Sequence, residues 1–235
     1  MTLGMKRFFL CFLIFFPVSV SADEYTFSAI KNASFIGYAR EVLTEAYGRL
    51  GHTVKILELP AARSVFISNE GAGVDGELFR VSGIETKFPN LVPIPVTLSF
   101  SDWVVVSKSN TIKVEGWHSI KPYVVGTRLG VITTDKGTLG MEPTKVNTNK
   151  QLLKMLLSDR VDLIVLSKNN ALKHTKGIEH KTLHILQPPI HRVPVYHFIH
   201  KKHAALIPKI TSILQAMQQQ GFISSAYSRY QQRHK

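Results

Sequence analysis

Residues 59–80 read LPAARSVFISNEGAGVDGELFR. Pro60 suits the first position of a short helix, and Gly71 and Gly73 break that helix. The clipped run Val74 to Phe79 then reads as a core strand that carries Asp75 and Glu77 and leads into Arg80. Charges at the end of a short core strand are costly unless they have partners or a task. In an open α/β sheet, ligands sit at those strand ends. The segment is therefore the first place to look for a binding site.

Upstream, Tyr25 to Ile30 reads as a strand, with a polar turn at Lys31-Asn32. Ser34 can cap a helix whose Ile36, Ala39, Leu43, Ala46 and Leu50 share one face, with Gly51 as its end. Val54 to Leu59 is the next strand. The order strand–helix–strand–helix–strand predicts a parallel sheet with helices on its faces.

Downstream, Leu91 to Leu98 and Trp103 to Ser107 are further strands, and Pro93 and Pro95 keep the former off a central position. The pattern then restarts. Tyr123 to Gly126 is a strand leading into the turn Gly126 to Gly130. Asn149 caps a helix through Leu152, Leu153, Leu156 and Leu157. Arg160-Val161-Asp162 opens the strand Leu163 to Leu166, and Lys181 to Leu186 is another. After the break at Gln187-Pro188-Pro189 come a strand over Val193 to Ile199 and a helix over Leu206 to Gln220. A last helix carries Phe222, Ala226 and Tyr230. Two α/β units joined near Ser99 to Ser107 and again near Pro188 to Val195 would form a hinge.

The first residues read as an export signal: Lys6 and Arg7, an apolar run from Phe8 to Val20, and Val20-Ser21-Ala22 as the cleavage motif. Removing residues 1–22 also removes Cys11, the one cysteine, so no disulfide or cysteine metal site is expected. The remaining chain has 27 basic and 16 acidic residues, a charge of about +11. The lysines are scattered and no aromatic-interleaved basic stripe appears, which reads as a soluble basic surface without a nucleic-acid partner. No cofactor motif is present, and the protein is expected to be a monomer. His197, His200 and His203 recur every three residues, and His180 and His184 are four apart. In a strand, however, His197 and His200 fall on opposite faces, so no metal site is expected.

Arg80 can grip a carboxylate through two parallel hydrogen bonds, or pair internally with Glu77 or Asp75. Glu77 can accept from a ligand amine or hydroxyl, or pair with Arg80 or Arg63. Arg63 sits in the first turn of its helix, where the dipole disfavours a cation, which hints at a contact elsewhere. Thr127 and Arg128 lie in the glycine-bounded turn, whose backbone N–H groups can meet an anion. Asp162 reads as structural. Trp103 and Tyr196, near the two crossings, and Phe35, after the first strand, can wall a cleft or fill a core.

Taken in order, several segments resemble the periplasmic solute-binding proteins of the bacterial extracellular family 3 type, which serve amino-acid ABC transporters. They are LTEAYGRLG (43–51), LPAARS, VDGELFR, VVGTRLG, LLKMLLSDRVDLIVLS and LIPKITSILQAMQQQGF. The resemblance spans the chain after residue 22 and marks it as a divergent branch. It implies a two-lobed α/β fold of type II, each lobe a mainly parallel sheet flanked by helices. One lobe would hold 23–104 plus 190–235, the other 105–189. It implies a periplasmic protein that closes on a small polar ligand, amino-acid-like or carboxylate-bearing, and delivers it to an ABC permease or a membrane sensor. It also places Arg80 where the family has small polar ligand-contacting residues. The arginine that usually holds the ligand carboxylate is replaced by Lys87, and the acid that usually takes the ammonium by Ser167. A dehydratase-like enzyme with Glu77 as acid or base, and a ligand-sensing module, are the other functions such a chain can serve.

Overall fold

The computed structural model describes residues 22–31, 33, 35–178 and 183–233. The export signal, the Ser34 cap, His180 and the first two residues of the strand expected at Lys181 lie outside them. Among the described residues no helix is long and apolar enough to cross a membrane.

The first unit runs β1 (Glu24–Ile30), α1 (Ile36–Gly48), β2 (Thr53–Leu59), α2 (Ala61–Glu70) and β3 (Gly76–Val81). β1 lies between β2 and β3, parallel to both. Helix α1 buries Ala39, Val42, Leu43 and Ala46 at three- and four-residue spacing. That stripe packs on Phe27, Ala29 and Leu78 of the sheet. The opposite face is covered by α2 through Val65. Gly71 closes α2 in the left-handed conformation, as a helix stop does.

β4 (Leu91–Pro93) is shorter than the sequence suggests, because its prolines remove ladder donors. β5 (Ser99–Ser107) then leaves the first unit for the second. That unit holds β6 (Val125–Arg128), α3 (Ile132–Gly137), β7 (Thr144–Val146), α4 (Asn149–Leu157), β8 (Leu163–Ser167), α5 (Lys168–Thr175) and the short β9 (His184–Ile185). α3, α5 and β7 carry too few apolar residues to show a period in sequence. The cap of α4 is Thr148, not Asn149: its hydroxyl accepts from the Gln151 N–H, and the Gln151 side chain returns to the Thr148 N–H. Asp162 is structural as expected, its carboxylate accepting the Val124 N–H at 2.7 Å.

β10 (His191–His200) returns to the first unit, followed by α6 (Ile207–Gln219) and α7 (Phe222–Arg233), which pack beside α1. Pro60 precedes α2 as its cap residue rather than opening it.

The strands form one continuous sheet, in the order β2-β1-β3-β10-β5-β8-β6-β7, with β4 and β9 at its margins. In each unit three strands are parallel, and the antiparallel crossing strands β10 and β5 join the units at the middle. Hydrophobic clusters follow the same division. One gathers α1, α6 and α7 on the first three strands. Two more, built from residues between Trp103 and Ile190, cover both faces of β5 and β8. This is why Leu163 to Leu166 are all buried and lack alternation.

Candidate functional site

Helix α2 sets Ser64 and Ser68 one turn apart on its buried face, aimed at β1 and β3. The Ser64 hydroxyl donates to Glu77 Oε1 at 2.8 Å, and Ser28 of β1 bridges Ser64 and Ser68. Glu77 is fully buried. Arg80 Nη2 donates to the same Oε1 at 3.1 Å and to the Ala61 carbonyl at 2.8 Å. Burial pushes the Glu77 carboxyl up from its usual value, against the opposing pull of Arg80 and the serines. Glu77 Oε2 and Arg80 Nε are buried with no partner among the described residues. Asp75 turns away from this group. Its carboxylate takes the Thr26 N–H and His203, which ties the chain after β10 to β1. The serine pair at 64 and 68, bracketing Val65, is the signal in the sequence that could have disclosed the network.

Arg80 lies within β3, not beyond it, and stands opposite Tyr196 of β10 in the ladder. Gly76 lets the two strands approach. A Cβ there would sit 2.1 Å from the Phe198 carbonyl oxygen. Tyr196 is half-buried against Val65, Ile84, Leu91 and Phe198 together with Val81. Ile132, at the start of α3 in the second unit, packs on this same cluster. Lys136 of α3 also reaches the first unit, its ammonium 3.4 Å from where a Cβ of Gly83 would stand. The sequence reading missed both of these cross-unit contacts.

On the crossing strands, Trp103 stands between His191 of β10 and Ser167 of β8. It is half-buried, and its Nε1 is buried without a partner among the described residues. The Ser167 hydroxyl accepts from the Asn170 side chain at 2.8 Å. Thr127 and Arg128 are the last residues of β6, ahead of Gly130. Thr127 is buried, its hydroxyl without a partner among the described residues, and Arg128 is half-buried. Arg63 is exposed and has no partner among the described residues. Phe35 stacks on Phe79 and Tyr227 and meets Tyr230 at 5.1 Å, as part of an aromatic group where α1 meets α7.

Thus Arg80, Glu77 and Tyr196 come together on one side. Trp103 lies further along the crossing strands, and Thr127 and Arg128 close β6 of the other unit. Phe35 is separate from these. On the reverse face of the crossing strands, Asp102 and Arg192 form an ion pair at 3.3 Å, and Arg192 covers the Phe100 ring. They line a cavity of about 270 Å³ with Tyr38 and Tyr227.

The described histidines do not assemble. His197 is buried between Phe27 and Tyr47, and His200 rests against Asn69 and Gly71 on the other face, as the strand spacing requires. Among the described residues no group of three metal-ligating side chains occurs.

No family model and no curated protein sequence matches the chain. Solved structures do. An ancestral arginine-binding protein bound to glutamine is 17% identical with a TM-score of 0.64, covering 87% of this chain and 97% of that one. The probable amino-acid ABC transporter extracellular-binding protein ytmK from Bacillus subtilis is 15% identical, with a TM-score of 0.68 and coverage of 89% and 98%. A histidine kinase sensor domain with similarity to periplasmic binding proteins is 11% identical, with a TM-score of 0.70 and coverage of 89% and 96%. Likeness at such low identity, over nearly the whole of each partner, speaks to architecture. Two parallel units joined by two crossing strands are the architecture those matches have: the chain has the two-lobed α/β fold seen in periplasmic binding proteins.

Proposed function

We propose that the protein is an exported, monomeric solute-binding protein that captures a small polar ligand between its lobes and passes it to an ABC permease. One observation carries this reading. The carboxyl ends of the parallel strands of both units meet at two crossing strands, and Ile132 of the second unit packs on the Val81 and Tyr196 cluster of the first. Such an arrangement can open and close about β5 and β10 without rebuilding either core. The lobes would be 23–104 with 190–235, and 105–189.

Arg80 is the proposed anchor, and Glu77 its positioning partner: Glu77 is too deeply buried to meet a ligand and instead holds one edge of the guanidinium. Arg63 and Arg128 would supply further donors, Thr127 being as deeply buried as Glu77, and Trp103 and Tyr196 would supply the walls. Phe35, packed among Phe79, Tyr227 and Tyr230, would serve the core of the first lobe rather than the ligand. No bond-making step is needed, because affinity would come from enclosure. Delivery to a membrane sensor is the second reading, favoured by the sensor-domain likeness.

Native mass spectrometry of protein purified from its own periplasm tests the proposal. A small molecule bound one to one is expected, and its removal should enlarge the radius of gyration in solution scattering. Turnover of that molecule, or dimensions that ignore it, would overturn the reading.

A further inference from the structure

The charges at the facing strand ends are one-sided. Arg63 lies in the first turn of α2 after β2, Arg80 is the last residue but one of β3, and Lys87 lies in the turn beyond. Arg128 ends β6, Lys136 reaches Gly83 across the gap, and Lys168 opens α5 after β8. Of these six, Arg80 alone has an acidic partner among the described residues.

The carboxylates beside them are each engaged or turned away. Glu77 is buried under α2 and shared by Arg80 and Ser64. Glu85 accepts the Gly83 N–H at 2.9 Å, inside its own turn. Asp135 is held by Lys145 at 2.7 Å. Asp102 projects to the reverse face of β5 from Trp103, where it meets Arg192. Glu58 follows Val54 and Ile56 on the α1 face of β2. At the end of β8 the available group is Ser167, a neutral hydroxyl already bonded to Asn170.

An ammonium group shut into a cleft needs an anionic acceptor, since an unpaired buried charge is strongly destabilising. Glu77 Oε2 lacks a partner among the described residues but is sealed from solvent, and each of the others is hydrogen-bonded in its own turn, ion-paired or on the far face of its strand. Carboxylate or phosphate oxygens, by contrast, would meet several unpaired cations from both lobes. We infer that the cleft selects a small anion with two or more negative charges on carboxylate or phosphate oxygens and no ammonium group, rather than an α-amino acid. This rests on the solute-capture reading above. It requires charge complementarity from both sides of the gap, so the anion would itself draw the lobes together.

The test is thermal unfolding with succinate, citrate or inorganic phosphate, against L-arginine and L-glutamine, all at equal ionic strength set with sodium chloride. A saturable rise in melting temperature with one of the anions is expected. Lys136→Ala and Arg63→Ala should each weaken its apparent affinity about tenfold or more. Lys154→Ala, on the outer helix α4, should leave it unchanged. Carboxylate and phosphate arms tell the two sources of anionic oxygen apart, and either supports the inference. A shift with an amino acid and none with the anions overturns the inference but leaves solute capture standing. An anion shift equal in wild type, Lys136→Ala and Arg63→Ala is surface binding and also overturns it. No shift with any probe overturns the inference and counts against solute capture as well.

Discussion

Arg80 and Glu77 stand three residues apart on one short strand, yet Arg80 Nη2 lies 3.1 Å from a Glu77 carboxylate that solvent does not reach. A regular strand would put positions three apart on opposite faces. The pairing of β3 with β10 shifts register between Tyr196 and Phe198, and this irregularity lets both side chains turn under α2.

Breaking that pair should be far worse than replacing it. Arg80→Met alone leaves a buried carboxylate without its cation and should cost about 3–5 kcal/mol. Arg80→Met with Glu77→Leu should recover most of the loss, since an apolar pair of similar volume avoids desolvating two charges. A double-mutant cycle from urea unfolding measures the coupling. Additive losses would mean that the two residues do not act as a pair.

Stability should fall in mild acid because of His197. Burial holds its imidazole down at about 4, from 6.5. The neutral ring fits its site. Nδ1–H donates to the Glu77 carbonyl at 3.0 Å, and Nε2 accepts from the Tyr47 hydroxyl at 3.0 Å. With a lowered pKa, the unfolded chain takes up the proton first as pH falls. The stabilisation is therefore whole above pH 6.5 and drains away toward pH 4, by about 3 kcal/mol in total. Denaturant midpoints across that range should show the slope, and His197→Gln should flatten it. An equal slope in the variant would assign the acid sensitivity to other groups.

Two glycines should respond in opposite ways. Gly76→Ala drives a methyl into the Phe198 carbonyl oxygen, where backbone would have to move, and should cost about 3 kcal/mol or more. Gly37→Ala lies on the outer side of α1 with nothing within 4 Å, and should stabilise by about 0.5–1 kcal/mol. Melting temperatures of the two variants decide the matter. Tolerance of alanine at position 76 would mean that β3 and β10 are not closely apposed there.

How much was legible varies with the range of the interaction. The helix over Ile36 to Gly48 could be read because its stripe of Ala39, Leu43 and Ala46 is a local period. The opposite facing of His197 and His200 was equally local. The crossing strands were found, but not their fusion of both units into one sheet. That depends on Trp103 pairing with Ser167 on one side and His191 on the other, across distant sequence. Thr148 was passed over for Asn149 because both are good caps, and the reciprocal bond with Gln151 decides between them.

The sequence by itself determined the two α/β units, their order, and the small set of charges near the strand ends. Strand and helix periods are set by neighbours a few residues away, so they survive without knowledge of the fold. Only the tertiary structure decided which of those charges remain free. Glu77 is engaged by Arg80, which a register shift brings beside it, and by Ser64 of α2, and Asp102 is turned to the reverse face, while Arg63, Arg128 and Lys136 have no acidic partner among the described residues. Charge pairing depends on distances of about 3 Å between residues far apart in the chain, which no local pattern encodes.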